Sequence, residues 1–178
     1  MVYGEESSSI MAISKTMSEA LNRQFNEELS SAYLYESMAA DFYAKNLSGF
    51  AVWMTTQASE ERLHARKIHQ FLDGNGERVF YGAISEPQAE WKTPVDAIKA
   101  ALGHEKFISK CIHDLVRMAR KEDDIATESF LGWFVTEQIE EETTAQALID
   151  KLEMVGDNRM GLYQLDKEVS TRVDNNGG

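Results

Sequence analysis

Apolar residues recur along this chain in alternating steps of three and four, and near the middle of each run the stepping lands on a glutamate. The first run reads Leu21, Phe25, Glu28, Ala32, Tyr35, Ala39 and Phe42, and the second Phe50, Met54, Gln57, Glu61, His64, Ile68 and Phe71. The third reads Ile98, Ala101, Glu105, Ile108, Ile112, Leu115 and Ala119. The fourth reads Thr127, Leu131, Phe134, Gln138, Glu141, Ala145, Leu148 and Leu152. Such stepping marks the seam of a helix packed in a bundle. It predicts an all-α fold, a four-helix bundle with a short fifth helix at the C-terminus. That last helix belongs to the block from Asn158 to Val173, where Leu162, Leu165 and Val169 share one apolar face.

The breaks between runs set the topology. A turn near Asn46 to Ser48 joins the first two helices, and one near Glu122 to Asp124 joins the third and fourth. Between these hairpins lies Asn75 to Thr93, beside Gly74, Gly76, Gly82, Pro87 and Pro94. Roughly 19 residues at ~3.3 Å each span ~60 Å, enough to run the full length of a ~40 Å helix. A long lengthwise crossover between the second and third helices is therefore expected. The bundle domain is placed at residues 14–174, after a flexible extension at 1–13 and before a disordered tail at 175–178. A lone bundle would leave the apolar face of the fifth helix wet, so a large closed oligomer is expected.

The glutamates change the picture from scaffold to site. A bundle core refuses an unpaired carboxylate, because burying one costs several kcal/mol even after relaxation. Here Glu28, Glu61, Glu105 and Glu141 all sit on seams, joined by His64 and Gln138. Glu28 stands about 18 residues before the first turn and Glu61 about 14 after it, or ~27 Å against ~21 Å of helix. Glu105 and Glu141 each stand about 18 residues from the second turn. Four carboxylates at similar heights need a common partner carrying positive charge. Glu61 and His64 are one turn apart on one helix face, so a single metal ion can take both. Hard oxygen donors with one imidazole suit iron, manganese or zinc better than copper.

Three neighbours read two ways. Glu60, Glu137 and Glu140 flank the seam, either as ordinary exposed charge or as a third, looser metal position. Tyr35 lies seven residues from Glu28 on the same stripe, either as a core aromatic or as a hydrogen-bond partner and electron donor to the site. His69, His104 and His113 show no such stepping with the acids and are expected to be structural.

Composition narrows the function classes. The net charge of −12 disfavours nucleic acid as a partner and suits attraction for cations. No apolar run approaches the ~18 residues needed to cross a bilayer, so no membrane role is expected. The start is acidic and serine-rich rather than basic and apolar, and Cys111 is the lone cysteine. Both features lead to the expectation of a cytoplasmic protein in a reducing compartment.

Three stretches carry a family resemblance: Asn22-Arg-Gln-Phe-Asn-Glu-Glu-Leu-Ser-Ser31, Glu60-Glu-Arg-Leu-His64 and Trp133-Phe-Val-Thr-Glu-Gln-Ile-Glu-Glu-Glu142. With the tail Gly161 to Thr171, the chain resembles a bacterial non-haem ferritin over about residues 16 to 173. Di-metal bundles of this kind draw single Glu ligands from two helices and Glu-x-x-His from the other two, a known pattern rather than a deduction from this chain. The fourth helix departs from it, with Gln138-x-x-Glu141.

The resemblance implies a ferroxidase that oxidises ferrous iron with dioxygen or hydrogen peroxide and stores ferric mineral in a cage of twenty-four subunits. It implies a first iron site of Glu28, Glu61, His64 and Gln138, and a second of Glu61, Glu105 and Glu141 with Glu61 bridging. A third would comprise Glu60, Glu137, Glu140 and Glu141. Haem is not expected. Arg62 stands where haem-containing relatives carry a ligating methionine, and Glu141 where they carry a second His. The first dozen residues look longer than is usual in the family. Asp123, Asp124 and Glu128 fall where the family places its three-fold channels, though a helix cap reads equally well there. The rival readings are a di-iron peroxidase or oxygenase on the same bundle, or a metal-buffering bundle without turnover. The first of these usually needs a redox partner domain, and no pair of Cys-x-x-Cys motifs is present.

Overall fold

The computed structural model describes residues 13–171 and consists, over those residues, of five helices: α1 (Lys15–Ala44), α2 (Ser48–Gly74), α3 (Pro94–Lys121), α4 (Ile125–Val155) and α5 (Arg159–Val169). Helices α1 and α2 form one hairpin and α3 and α4 the other, with α5 packed across α2 and α4 at one end. The all-α reading and the four-helix bundle hold. The extension expected at 1–13 lies outside the described residues except for Ile13, which is buried against the core. The tail at 175–178 lies wholly outside them.

Local chemistry sets the helix ends. Ser14 caps α1 by accepting from Met17 N at 3.0 Å. Thr93 caps α3, with Pro94 at the first helical position where its missing N–H costs nothing. Asp124 caps α4 by accepting from Thr127 N at 2.9 Å, and Arg120 binds Glu128 at 2.7 Å. Asp124 therefore acts as a helix cap at this turn. Both hairpin turns use a left-handed residue, Asn46 at φ 59° and Asp123 at φ 53°. Asn and Asp tolerate that region better than other residues with a side chain.

The crossover is extended and runs up the side of α1. Asn22 and Asn26 hold it like rungs: Asn22 Oδ1 accepts from Phe80 N at 2.7 Å, and Asn26 Oδ1 accepts from Gly82 N at 2.7 Å. Their amide nitrogens donate to the carbonyls of Arg78 and Phe80. Further along, Ser37 donates to Gln88 O, and Trp91 N donates to Asp41. From Asn22 to Asp41 is ~28 Å of helix, so the strap follows α1 for most of its length.

The interior is two apolar plugs with a polar layer between them. One plug gathers Met38, Phe42, Phe50, Trp53, Met54, Ile98, Leu148 and Leu152 with Leu165 of α5. The other gathers Leu21, Phe25, Ile68, Leu72, Ile112, Leu115, Leu131 and Phe134. The α5 face differs from the sequence expectation. Leu165 is buried, and Leu162 and Val169 pack against the first plug, so the chain's own bundle covers most of that face. The exposed apolar residues nearby are Met154, Met160 and Tyr163.

Helix α2 has no side-chain cap of its own. Instead, buried Asp166 of α5 accepts from Gly49 N at 2.8 Å and Phe50 N at 3.0 Å, placing a carboxylate on the positive end of α2. The approach requires glycine, since a Cβ at Gly49 would lie 1.6 Å from the Asp166 carbonyl oxygen. Gly49→Ala should therefore push α5 off and lower stability by about 1–3 kcal/mol. Gly103→Ala, whose Cβ meets nothing within 4 Å, should instead be neutral or stabilising. Thermal denaturation of both variants checks the contrast, and equal melting temperatures would contradict it.

Candidate metal centre

Glu28 precedes Asn46 by 18 residues and His64 follows it by 18, so the α1–α2 hairpin brings them level. Glu61, one turn earlier on α2, completes the group. One ligand atom from each of Glu28, Glu61 and His64 lies within 4.8 Å of the others. His64 Nδ1 is 3.3 Å from Glu61 Oε2 and 4.0 Å from Glu28 Oε2. All three side chains are buried, and Glu28 Oε2, Glu61 Oε2 and both His64 ring nitrogens have no hydrogen-bond partner. A buried polar atom left in that condition costs about 1–3 kcal/mol, more when charged. Oxygen and imidazole donors converging in this way fit a divalent cation, which would satisfy the carboxylate oxygens and His64 Nδ1 at once. Trp133 and Phe134 of α4 present ring edges to His64 and hold its plane.

The second hairpin contributes the opposite side of the layer. Glu105 on α3 is buried and accepts from the Tyr35 hydroxyl and from Gln138 Nε2, the latter at 3.0 Å. Tyr35 is thus a hydrogen-bond partner of this layer as well as a core aromatic. Gln138 also donates to the Glu105 carbonyl at 3.2 Å, so it faces Glu105 across the α3–α4 pair. Glu141 is buried on α4 and accepts from Gln57 at 2.8 Å. Glu60 is buried and accepts from the same Gln57 nitrogen at 2.9 Å. Glu137 is half-buried and Glu140 is exposed.

Two glutamines outside the expected set belong to the layer. Gln24, one turn before Glu28, donates to its Oε1 at 2.9 Å, and Gln57 donates to Glu60 and Glu141. Gln57 stood on the second stripe, and its four-residue step to Glu61 was the available signal. Of the remaining histidines, His104 bonds Ser31 at 2.7 Å, His69 packs on Phe25 and Tyr81, and His113 is exposed.

Electrostatics mark the layer as a place short of positive charge. Burial above all pushes Glu28 well above its ordinary 4.5; the Glu61 charge adds to the rise and His64 opposes it. Burial raises Glu61 as well, with Glu105 and Glu141 repelling its charge. Glu105 is raised by burial, and hydrogen bonds from Tyr35 and Gln138 offset part of that rise. Burial followed by the Glu105 charge raises the Tyr35 hydroxyl.

A four-helix bundle with a buried carboxylate–imidazole layer defines a ferritin-like metalloprotein. Residues 18–155 match the ferritin family through its ferritin-like domain. The chain is 37% identical to a bacterial non-heme ferritin of Staphylococcus epidermidis over 163 residues, 92% of this chain and 98% of that one. Its identity to the bacterial non-heme ferritin of Staphylococcus haemolyticus is 38%, covering 90% and 96% of the two chains. Its fold superposes with a TM-score of 0.90 on an open pore ferritin of the archaeon Archaeoglobus fulgidus. That match is at 46% identity and covers 91% of this chain and 100% of the other. This chain belongs to the ferritin family, and its function is that family's, iron storage. No helix among the described residues is long and apolar enough to cross a membrane.

The raised carboxyls fix a pH dependence. A carboxyl whose folded pKa is raised contributes stability that is fully present below its unfolded value near 4.5 and is lost as pH rises through the folded value. Glu61→Gln removes that loss. In chelated, metal-free buffer the variant should be more stable than the wild type by a margin that widens as pH rises above 4.5. Denaturant titrations at several pH values measure the margin, and one that stays constant with pH contradicts the assignment.

Proposed function

We propose that this protein is a ferroxidase that binds two ferrous ions in the polar layer, oxidises them and passes ferric iron to a stored mineral. The supporting observation is the buried Glu28, Glu61 and His64 group, whose unpartnered carboxylate oxygens and His64 Nδ1 converge in the layer that also buries Glu105 and Glu141. In this reading the first ion takes Glu28, Glu61 and His64, with Gln138 at its margin. The second takes Glu105 and Glu141, and Glu61 bridges the pair. Glu60, Glu137, Glu140 and Glu141 form a looser third position beside the pair.

The chemistry follows from charge. Two ferrous ions bring four positive charges to four carboxylates, which offsets the cost of burying them. Hard carboxylate oxygens favour the ferric over the ferrous ion, so ligation makes each ion a better one-electron donor. Two ferrous ions each lose one electron; dioxygen takes both with two protons and leaves as hydrogen peroxide. Peroxide taken as the oxidant accepts two electrons and two protons and leaves as water. The protein supplies proximity and a fixed electrostatic field. Tyr35, in this reading, orients the Glu105 carboxylate through the hydrogen bond it donates to it. Haem has no place in this reading: Arg62 is turned outward to Glu36 at 2.8 Å. The exposed Met154, Met160, Tyr163, Ile125 and Ile139 support burial between subunits in a cage of twenty-four, which we place in the cytoplasm. A single 20.1 kDa species in light scattering at micromolar concentration would contradict the cage.

Adjacent residues of α4 separate the inner pair from the third position. Glu141 is buried and Glu140, about 100° around the helix from it, is exposed. Glu141→Ala should slow the rapid oxidation phase by tenfold or more while leaving the metal-free fold intact or slightly more stable. Glu140→Ala should retain that phase and change only the slower steps or the number of ions bound. Stopped-flow absorbance after mixing with ferrous iron in air measures both. Equal fast phases, or a loss confined to Glu140→Ala, would contradict the placement.

A further inference from the structure

Three buried glutamines, Gln24, Gln57 and Gln138, donate to the carboxylates of the polar layer. Gln24 serves Glu28 within α1, and Gln138 serves Glu105 within the α3–α4 hairpin. Gln57 reaches across from α2 to Glu141 on α4 while also holding Glu60, one turn along its own helix. Its amide nitrogen lies 2.9 Å from Glu60 Oε2 and 2.8 Å from Glu141 Oε2, so each of its two hydrogens has its own carboxylate.

We propose that Gln57 is a positioning residue for the second iron, a role that rests on the dinuclear reading above. By holding Glu141 Oε2, it fixes the orientation of a carboxylate that the second ion would take. By holding Glu60 on the same nitrogen, it keeps a second buried carboxylate next to Glu141 without letting it turn into the inner pair. An amide suits both tasks. A lysine or arginine there would also bind the two carboxylates, but its positive charge would repel the incoming cation. An apolar side chain would remove a hydrogen bond from each of two buried, like-charged groups. Because the bond joins α2 to α4, it also ties the relative height of the hairpins to the geometry of the second position. The first position is governed separately, through Gln24 and Glu28.

Cobalt(II), which is not oxidised under these conditions, serves as the probe in calorimetric titrations monitored in parallel by visible absorption. The wild type should show two tight steps per chain. Gln57→Leu keeps the bulk and removes both donors; Gln57→Asn keeps the amide but is too short to span the hairpins. Both should weaken the second step by about tenfold to a hundredfold and leave the first within about twofold. Gln24→Leu should show the reverse pattern. A wild type that binds one ion per chain overturns the dinuclear reading itself. Two steps in the wild type, with the second unchanged in both Gln57 variants or with both steps weakened equally, overturn the role of Gln57. A lower melting temperature alone would not support it.

Discussion

Everything in this bundle is arranged around carboxylates placed where a helix core should be apolar. Glu28, Glu61, Glu105 and Glu141 each carry a desolvation cost of several kcal/mol when charged, and their mutual repulsion adds to it. Ten or so kcal/mol of such cost approaches the whole stability of an ordinary domain. The layer persists because large apolar plugs close it on both sides, and because protons and amide donors share the charge. Stability is spent locally to hold an affinity for cations.

The same constraint explains why the scaffold around the layer is so firmly tied. A polar layer built from four helices requires them to agree in height, and a slip of one residue moves a side chain ~1.5 Å along the axis and ~100° around it. Equal hairpin arms place the carboxylates, left-handed Asn46 and Asp123 make the turns short, and the Asn22 and Asn26 rungs fasten the crossover to α1. The glutamines then set individual oxygens.

Most of this was legible in the residues themselves, for a physical reason. Seam positions repeat with the helix period, so a glutamate on a seam stands out, and the breaks at Asn46, Gly74 to Pro94 and Asp123 fall where the helices end. What escaped was set by three-dimensional detail that a period does not encode. Gln57 read as one more polar residue on a stripe, because its partners lie three residues away on one side and on a different helix on the other. The covered face of α5 was misjudged because nothing in Leu162, Leu165 and Val169 says whether their cover comes from the same chain or a neighbour. The acidic turn at Asp124 was ambiguous because a carboxylate that caps a helix and one that lines a channel look alike in one dimension.

The bond between Asp166 and the start of α2 has a consequence in time. The two ends of that contact are separated by 117 residues. At a synthesis rate of about 5–20 residues per second, α2 waits roughly ten seconds for its cap after its own N-terminus has been made. During that interval the helix carrying Glu60, Glu61 and His64 has two bare amides at its positive end, and α1 is its only hairpin partner. Until Asp166 has been made and α5 has docked, α2 therefore lacks the carboxylate that holds its first amides in the folded chain.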